Sequence, residues 1–338
     1  MIKKTKRSLI FWGLLGIGIM LVQSMDIAVA KDPDYPTKPI TLYIAYGVGG
    51  TTDMTFRAFG DVASKHLGQP FVYINRAGAG GTLAAMAIMT SKPDGYFIAT
   101  VTASNMFFAP FSDESPYKDL NGFSFITNIG NYLYPFMVKA DAPWKTWKEF
   151  IEWAKKNPRA AKIALAGAKS VDSHAFVLTQ IEKREQVEFS YIPMKSTAEV
   201  LSATLGGHIT VCTFSFAPVS AEYLKEGKLR VLTYLGTQKV PGFENVPTTQ
   251  ELYGISIPNL VGIVGPKGLP DYVMNKLNDA FAKAVKDPSF IKFMHQTSTP
   301  IVYMDRHEMS KYVQETFSKT GSVIKMLKAE EAKEKEKK

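Results

Sequence analysis

Residues 40–53, ITLYIAYGVGGTTD, constrain the fold more than any other stretch of this chain. The apolar, β-branched and aromatic run over 40–46 reads as a buried strand. It breaks into Gly47-Val48-Gly49-Gly50, after which Thr51, Thr52 and Asp53 offer N-cap chemistry for a following helix. Glycine lets the backbone turn tightly and lets a ligand approach closely. A helix that starts beyond such a turn presents unpaired N–H groups and a positive dipole end, so its natural guest is an anion. The same pattern also fits a plain strand-to-helix turn with no ligand at all.

Nucleotide readings fit poorly. A GxGxxG fingerprint needs glycine at position 52, where threonine stands, and an acidic residue about 20 positions further on. The next predicted strand, 71–75, ends instead in Asn75 and Arg76. A phosphate loop needs Gly-Lys-Ser/Thr, and Ala168-Lys169-Ser170 has alanine at the glycine position. No cofactor is expected.

The N-terminus speaks to the compartment. Lys3, Lys4, Lys6 and Arg7 precede an apolar run over 9–22, and Ala28-Val29-Ala30 is a small-x-small cleavage site. These features predict a secretory signal peptide cut after Ala30, giving a periplasmic protein; the run is short for a retained membrane anchor. Of the 338 residues, 308 would remain, enough for two domains with separate cores. The formal charge is +9, and the four basic residues and Asp26 of the signal account for three of it, leaving +6. That excess favours anionic ligands, but no basic cluster is interleaved with stacking aromatics, so nucleic acid is not expected. The lone cysteine, Cys212, excludes an internal disulfide and sits far from any lipid-attachment position.

Beyond the first helix (52–67, stopped by Gly68) the pattern gives a strand at 71–75 and a second glycine turn, Gly78-Ala79-Gly80-Gly81. A helix at 83–90 and a strand at 96–102 follow, so three strands with intervening helices suggest a parallel α/β domain. Ligands of such sheets sit beyond the carboxyl ends of the strands, where both glycine turns and Thr102-Ala103-Ser104 lie. A second α/β pattern starts near Pro135: strands at 136–138, 163–166, 209–214 and 229–235, with helices at 146–156, from 175, at 198–205 and at 217–226. After 254 come a strand, a Pro-Gly turn, a helix at 271–286 and a last helix from 305, with a mixed-charge tail at 328–338.

Taken singly, few residues suggest chemistry. The five histidines lack metal spacing. His174 lies at a loop-to-helix junction, where it would either donate to a ligand carboxylate or bond to nearby backbone. Asp53 either touches a ligand or caps helix-start amides. Ser173 and His174 suggest a nucleophile and base, but adjacent residues at a helix start seldom face each other, and no GxSxG elbow exists. Cys212 reads as inert core, and Trp144, Trp147 and Trp153 as the packing face of one helix and its lead-in.

Several motifs in order resemble the solute-binding proteins of tripartite tricarboxylate transporters, the TctC/Bug family. They are Tyr35-Pro36-Thr37-Lys38-Pro39, Gly49-Gly50-Thr51-Thr52-Asp53, Gly68-Gln69-Pro70, Asn75-Arg76-Ala77-Gly78-Ala79-Gly80-Gly81, Lys92-Pro93-Asp94-Gly95-Tyr96, Ser173-His174, Gly206-Gly207, Gly227-Lys228-Leu229-Arg230 and Val246-Pro247-Thr248. The resemblance covers nearly all of the mature chain. It implies an α/β, two-lobed periplasmic binding protein of type II, a Venus flytrap with its ligand in the interlobe cleft. The implied activity is capture of a small organic carboxylate for a membrane permease of one large and one small subunit, by a monomer that is not an enzyme. The implied lobes are 31–134 with 258–338, and 135–257, hinged near 131–135 and 255–262.

The implied site takes Tyr46, Gly49, Gly50, Thr51, Thr52 and Asp53 as the carboxylate clamp, with Thr102, Ala103 and Ser104 at the lobe junction. Ser170, Ser173 and His174 would close from the second lobe, with Thr213, Phe214 and Ser215 behind them. The chain departs from the pattern at Val48 and Ala77, where many relatives have proline, and at Phe214, where many have aspartate. Without that acid an ammonium group loses a counter-ion, so the expected ligand is a non-amino mono-, di- or tricarboxylate, aromatic or branched forms included. Two other functions stay open on sequence: a ligand-sensing module for a membrane kinase, and an exported hydrolase using Ser173 and His174.

Overall fold

The computed structural model describes residues 34–113, 115–165, 172–194, 197–216 and 218–336. In chain order the strands are β1 Ile40–Ile44, β2 Phe71–Asn75, β3 Phe97–Thr102, β4 Phe123–Gly130, β5 Pro135–Lys139, β6 Lys162–Leu165, β7 Ser190–Pro193, β8 Val211–Thr213, β9 Leu229–Tyr234 and β10 Val261–Pro266. The helices are α1 Thr51–Leu67, α2 Thr82–Met89, α3 Trp147–Lys156, α4 Ser173–Glu185, α5 Thr197–Leu205, α6 Pro218–Lys225, α7 Thr249–Tyr253, α8 Asp271–Ala284, α9 Pro288–Gln296 and α10 Arg306–Glu336. They form a two-lobed α/β architecture with one mixed five-stranded sheet in each half.

The first sheet has the order β2-β1-β3-β10-β4. Its β2-β1-β3 part is parallel, as the alternation of strands and helices predicts, with Ile40 beside Phe71 and Thr41 beside Phe97. The late strand β10 inserts antiparallel between β3 and β4, pairing Val261 with both Thr102 and Gly130. Phe59 of α1 packs edge-on against Phe281 of α8 and Phe290 of α9, at 5.2 and 5.3 Å between ring centres. Helices distant in sequence thereby close over one face of the sheet.

The second sheet has the order β7-β6-β8-β5-β9, parallel where β6 meets β7 and β8, antiparallel around β5. Thr146 caps α3 by accepting from Glu149 N. The tryptophans pack as the sequence suggests: Trp144, Trp147 and Trp153 surround Phe150, and Trp147 meets Phe136 of β5. Cys212 of β8 is fully buried, and burial pushes its thiol up to about 12, so it is an inert core residue.

The chain crosses between the sheets after β4 and again before β10. Asn259 ties these crossings together: its Oδ1 accepts from Tyr132 N at 2.9 Å, and its Nδ2 donates to Tyr132 O at 2.6 Å. Tyr312 of α10 adds a bond to Asn259 O at 2.7 Å.

Several features depart from the sequence expectation, including β7, α7 and α9, which the pattern does not give. Helix α1 begins at Thr51 with Gly50 as its N-cap, so none of Thr51, Thr52 and Asp53 is the cap residue. Strand β4, FSFITNIG, goes unread because its Thr127 and Asn128 look like turn residues. Both are buried and bonded across the fold, Thr127 to Met304 O at 2.8 Å and Asn128 to Val261 N at 2.8 Å and Val302 O at 2.7 Å. Past β3 the chain forms a π-helical turn, Ser104–Phe108, a rare element without a propensity signature.

Candidate functional site

The carboxyl end of β1 leads through Ala45 and Tyr46 into the glycine turn. Gly49 adopts a φ of +75°, which a side chain would strain, and Gly50 N donates to Gly47 O at 3.2 Å. No side chain caps the helix that follows. Asp53 turns back from the first turn of α1: its Oδ2 accepts from Gly49 N at 2.9 Å, and its Oδ1 accepts from Arg57 Nε and Asn75 Nδ2, both at 2.8 Å. Asn75 Nδ2 also donates to Tyr46 O at 2.9 Å. This network fixes the turn and spends the Asp53 charge on Arg57.

The end of β3 supplies the neighbouring wall. Thr102 Oγ1 lies 3.0 Å from Tyr46 Oη, and Thr102 N donates to Asn105 Oδ1 at 2.9 Å. The second glycine turn packs behind this wall. A Cβ on Gly81, whose φ is +90°, would lie 2.9 Å from Asn105 Nδ2 and 3.2 Å from the Ala45 Cβ, so only glycine fits there.

Helix α4 of the second sheet brings its N-terminus to the same place. Asp172 is its cap, with Oδ1 accepting from His174 N at 2.8 Å and Ala175 N at 3.1 Å. The same oxygen lies 3.2 Å from His174 Nδ1. Burial alone would raise the Asp172 pKa; the His174 ring and the two amides outweigh it, and the carboxyl sits below its ordinary value. His174 meets Tyr134 edge-on at 5.1 Å between ring centres, and its Nε2 is buried without a partner.

Hydroxyl contacts join the halves. Thr51 Oγ1 donates to Ser215 O at 2.9 Å, and Ser104 Oγ lies 3.2 Å from Ser173 Oγ. Between them is a cavity of about 70 Å³. Of the residues expected at a site, Tyr46, Gly50, Thr51, Thr52, Thr102, Ala103, Ser104, Ser173, His174, Phe214 and Ser215 line it. Gly49, Asp53 and Thr213 do not: the first two are consumed in shaping the turn, and Thr213 is buried within β8. Ser170 lies outside the described residues.

Gly47, Tyr134, Asp172 and Thr197 line the cavity without having been singled out. Asp172 carried a legible signal, an Asp just before a helix; Tyr134 carried none, since the chain crossing alone brings it there. Ser173 Oγ meets Ser104 rather than His174, so the adjacent Ser and His do not form a nucleophile–base pair.

Chemically, the lining is a set of donors. No lysine or arginine is among its described residues, and its titratable groups are Asp172, His174 and the Tyr46 and Tyr134 phenols. Burial raises both phenol pKa values, keeping them neutral. Uncapped helix amides, hydroxyls and phenols suit the oxygens of a small anion.

Comparison with known proteins agrees in kind. The chain is similar to the UPF0065 protein in the gbd 5′ region of Cupriavidus necator, 36% identical over 304 residues, covering 89% of this chain and 90% of that one. It resembles a solved periplasmic transporter at 29% identity and a TM-score of 0.79, covering 86% and 98% of the two chains. It shares the fold of MatC from Rhodopseudomonas palustris with bound malate, at 23% identity and a TM-score of 0.76, covering 86% and 100%. The matching family is one of transporter receptors. Residues 55–329 match the model of the tripartite tricarboxylate transporter family receptor, and the chain belongs to that family.

Proposed function

We propose that this chain is an extracytoplasmic receptor that captures a small organic carboxylate and delivers it to a tripartite tricarboxylate transporter permease. The observation that carries this reading is the uncapped N-terminus of α1, which opens into a cavity ringed by hydroxyls from both sheets. A carboxylate there satisfies helix-start amides and lies at the positive end of the helix dipole. The malate bound by MatC supports the ligand class.

In this reading the lobes are 31–134 with 258–338, and 135–257, and the crossings beside Asn259 are the hinges. The contacts from Thr51 to Ser215 and from Ser104 to Ser173 latch the closed form around the ligand. Phe214 in the lining favours a ligand without an amine, because Asp172, the described acid there, is engaged by His174 and two amides. Gly49, Asp53 and Thr213 support the site from behind rather than touching the ligand. The chain is exported, cut after Ala30, and acts as a monomer without catalysis.

Native mass spectrometry of the mature protein from rich medium tests the reading. A co-purified or added mono-, di- or tricarboxylic acid that binds one to one is the expected result. Selective binding of an amino acid, a sugar or a nucleotide, with organic acids ignored, would overturn it.

A further inference from the structure

Among the described residues, the one polar atom of the cavity lining that is both buried and unpartnered on a titratable ring is His174 Nε2. The imidazole is 8% exposed, and its other nitrogen faces the Asp172 carboxylate at 3.2 Å. That carboxylate accepts from two backbone N–H groups and cannot act as a donor while ionised, so Nδ1 carries a proton in either charge state of the ring. Nε2 is therefore the nitrogen that titrates. In the neutral ring it offers a lone pair to the cavity; in the imidazolium it offers an N–H.

We propose that His174 is a specificity-determining ligand contact, and that an anionic ligand is bound with uptake of one proton at His174 Nε2. This inference rests on the carboxylate-receptor reading. A carboxylate oxygen beside a neutral Nε2 would face a lone pair in a small buried space, whereas the protonated ring donates a charge-assisted hydrogen bond. The proton taken up offsets the charge the ligand brings, and Asp172 and the ligand carboxylate flank one imidazolium. Among the described residues, the other titratable groups that share the cavity are the Tyr46 and Tyr134 phenols, which stay neutral, so neither supplies a competing charge.

Uptake means that the ring's pKa is higher in the complex than in the free protein. Below the free-protein value affinity is flat. Between the two values it falls about tenfold per pH unit as pH rises, and above the complex value it is flat again. A neutral analogue of the same ligand, an amide for example, gains nothing from the proton and shows no such dependence.

Calorimetric titration with a panel of acetate, succinate, malate, adipate and benzoate, at about pH 7.5 in two buffers of different ionisation enthalpy, reads the proton directly. The expected result is uptake of about one proton with any acid that binds, lost in His174→Gln. ¹⁵N-histidine NMR of the unmutated protein keeps the test independent of that variant's folding: Nε2 should change from unprotonated to protonated on saturation. Binding without proton uptake overturns the inference while leaving the receptor reading standing, as does uptake that survives His174→Gln. No binding by any member of the panel overturns the receptor reading and the inference with it.

Discussion

Two helices aim their N-termini at one cavity, and they are finished differently. Helix α4 is closed by Asp172, whose single Oδ1 takes two backbone amides and faces the His174 ring. Helix α1 begins at Gly50 with no side-chain cap, and its nearby acid, Asp53, is turned away onto Gly49, Arg57 and Asn75. A capped helix has little left to offer an anion, and an acid at its tip repels one. An uncapped helix in a folded protein keeps orphan donors that water or a ligand must satisfy. In the proposed reading the pair divides the labour: α1 would hold the ligand carboxylate, while α4 presents a hydroxyl and an imidazole braced by an acid.

The most damaging change should be the one that erases this difference. Gly50→Asp gives α1 the cap that α4 has. The backbone angle accepts it, since φ is −73°, and the new Cβ would sit 3.2 Å from Gly47 O, so that carbonyl must give by a few tenths of an ångström. Fold stability should change by only a few tenths of a kcal/mol, roughly the Gly-to-Asp difference at an N-cap. Carboxylate affinity should fall by about 1.5–3 kcal/mol, roughly 10- to 150-fold, because charge-assisted bonds are replaced by a like charge. Calorimetry beside a thermal melt reads both. Unchanged affinity would mean that α1 does not hold the ligand.

The opposite change attacks the closed end. Asp172→Ala leaves two amides and the His174 ring without their acceptor, and should cost about 1–3 kcal/mol in urea unfolding. Asp172→Asn keeps the cap and sharpens the point by removing only the charge. Because the Asp172 pKa is lowered by folding, its ionised form contributes stability above the ordinary carboxylate range, lost as pH falls through the lowered value. The stability gap between the native protein and Asp172→Asn should thus hold above about pH 5 and begin to shrink only as pH falls through the ordinary carboxylate value near 4, continuing down through the lowered one. A gap that widened on acidification would contradict the assignment.

A smaller effect is expected where the two ends meet. Thr51→Val removes the bond to Ser215 O while nearly keeping side-chain shape. Closure should lose about 0.5–1.5 kcal/mol, or roughly two- to twelvefold in affinity. Small-angle scattering at saturating ligand would show a larger open fraction, and no change in either quantity would remove this bond from the latch.

Much of this was legible beforehand because it is local. The strand, glycine turn and helix of residues 40–67 announce themselves by periodicity and turn chemistry, as does the stop at Gly68, with its φ of +74°. The ordered motifs carried the family and so the two-lobed fold. What escaped is tertiary. Arg57 looks like an exposed helix residue until Asn75, 18 positions on, completes its clamp on Asp53. Thr213 ends a strand whose sequence runs on into Phe214 and Ser215, yet only the two residues past the strand reach the cavity. The His174 ring could be suspected of meeting a ligand, but its bracing by Asp172 depends on an N-cap geometry that places both on one turn.

The most direct test is a crystal structure of the mature protein with whichever carboxylate calorimetry identifies as the tightest. The expected result is a carboxylate oxygen about 2.7–3.2 Å from the backbone nitrogen of Thr51 or Thr52, with His174 Nε2 within reach of an anionic oxygen of the same ligand. A carboxylate seated instead on the amides of α4, with Asp172 displaced and the start of α1 bonded only to water, would contradict it.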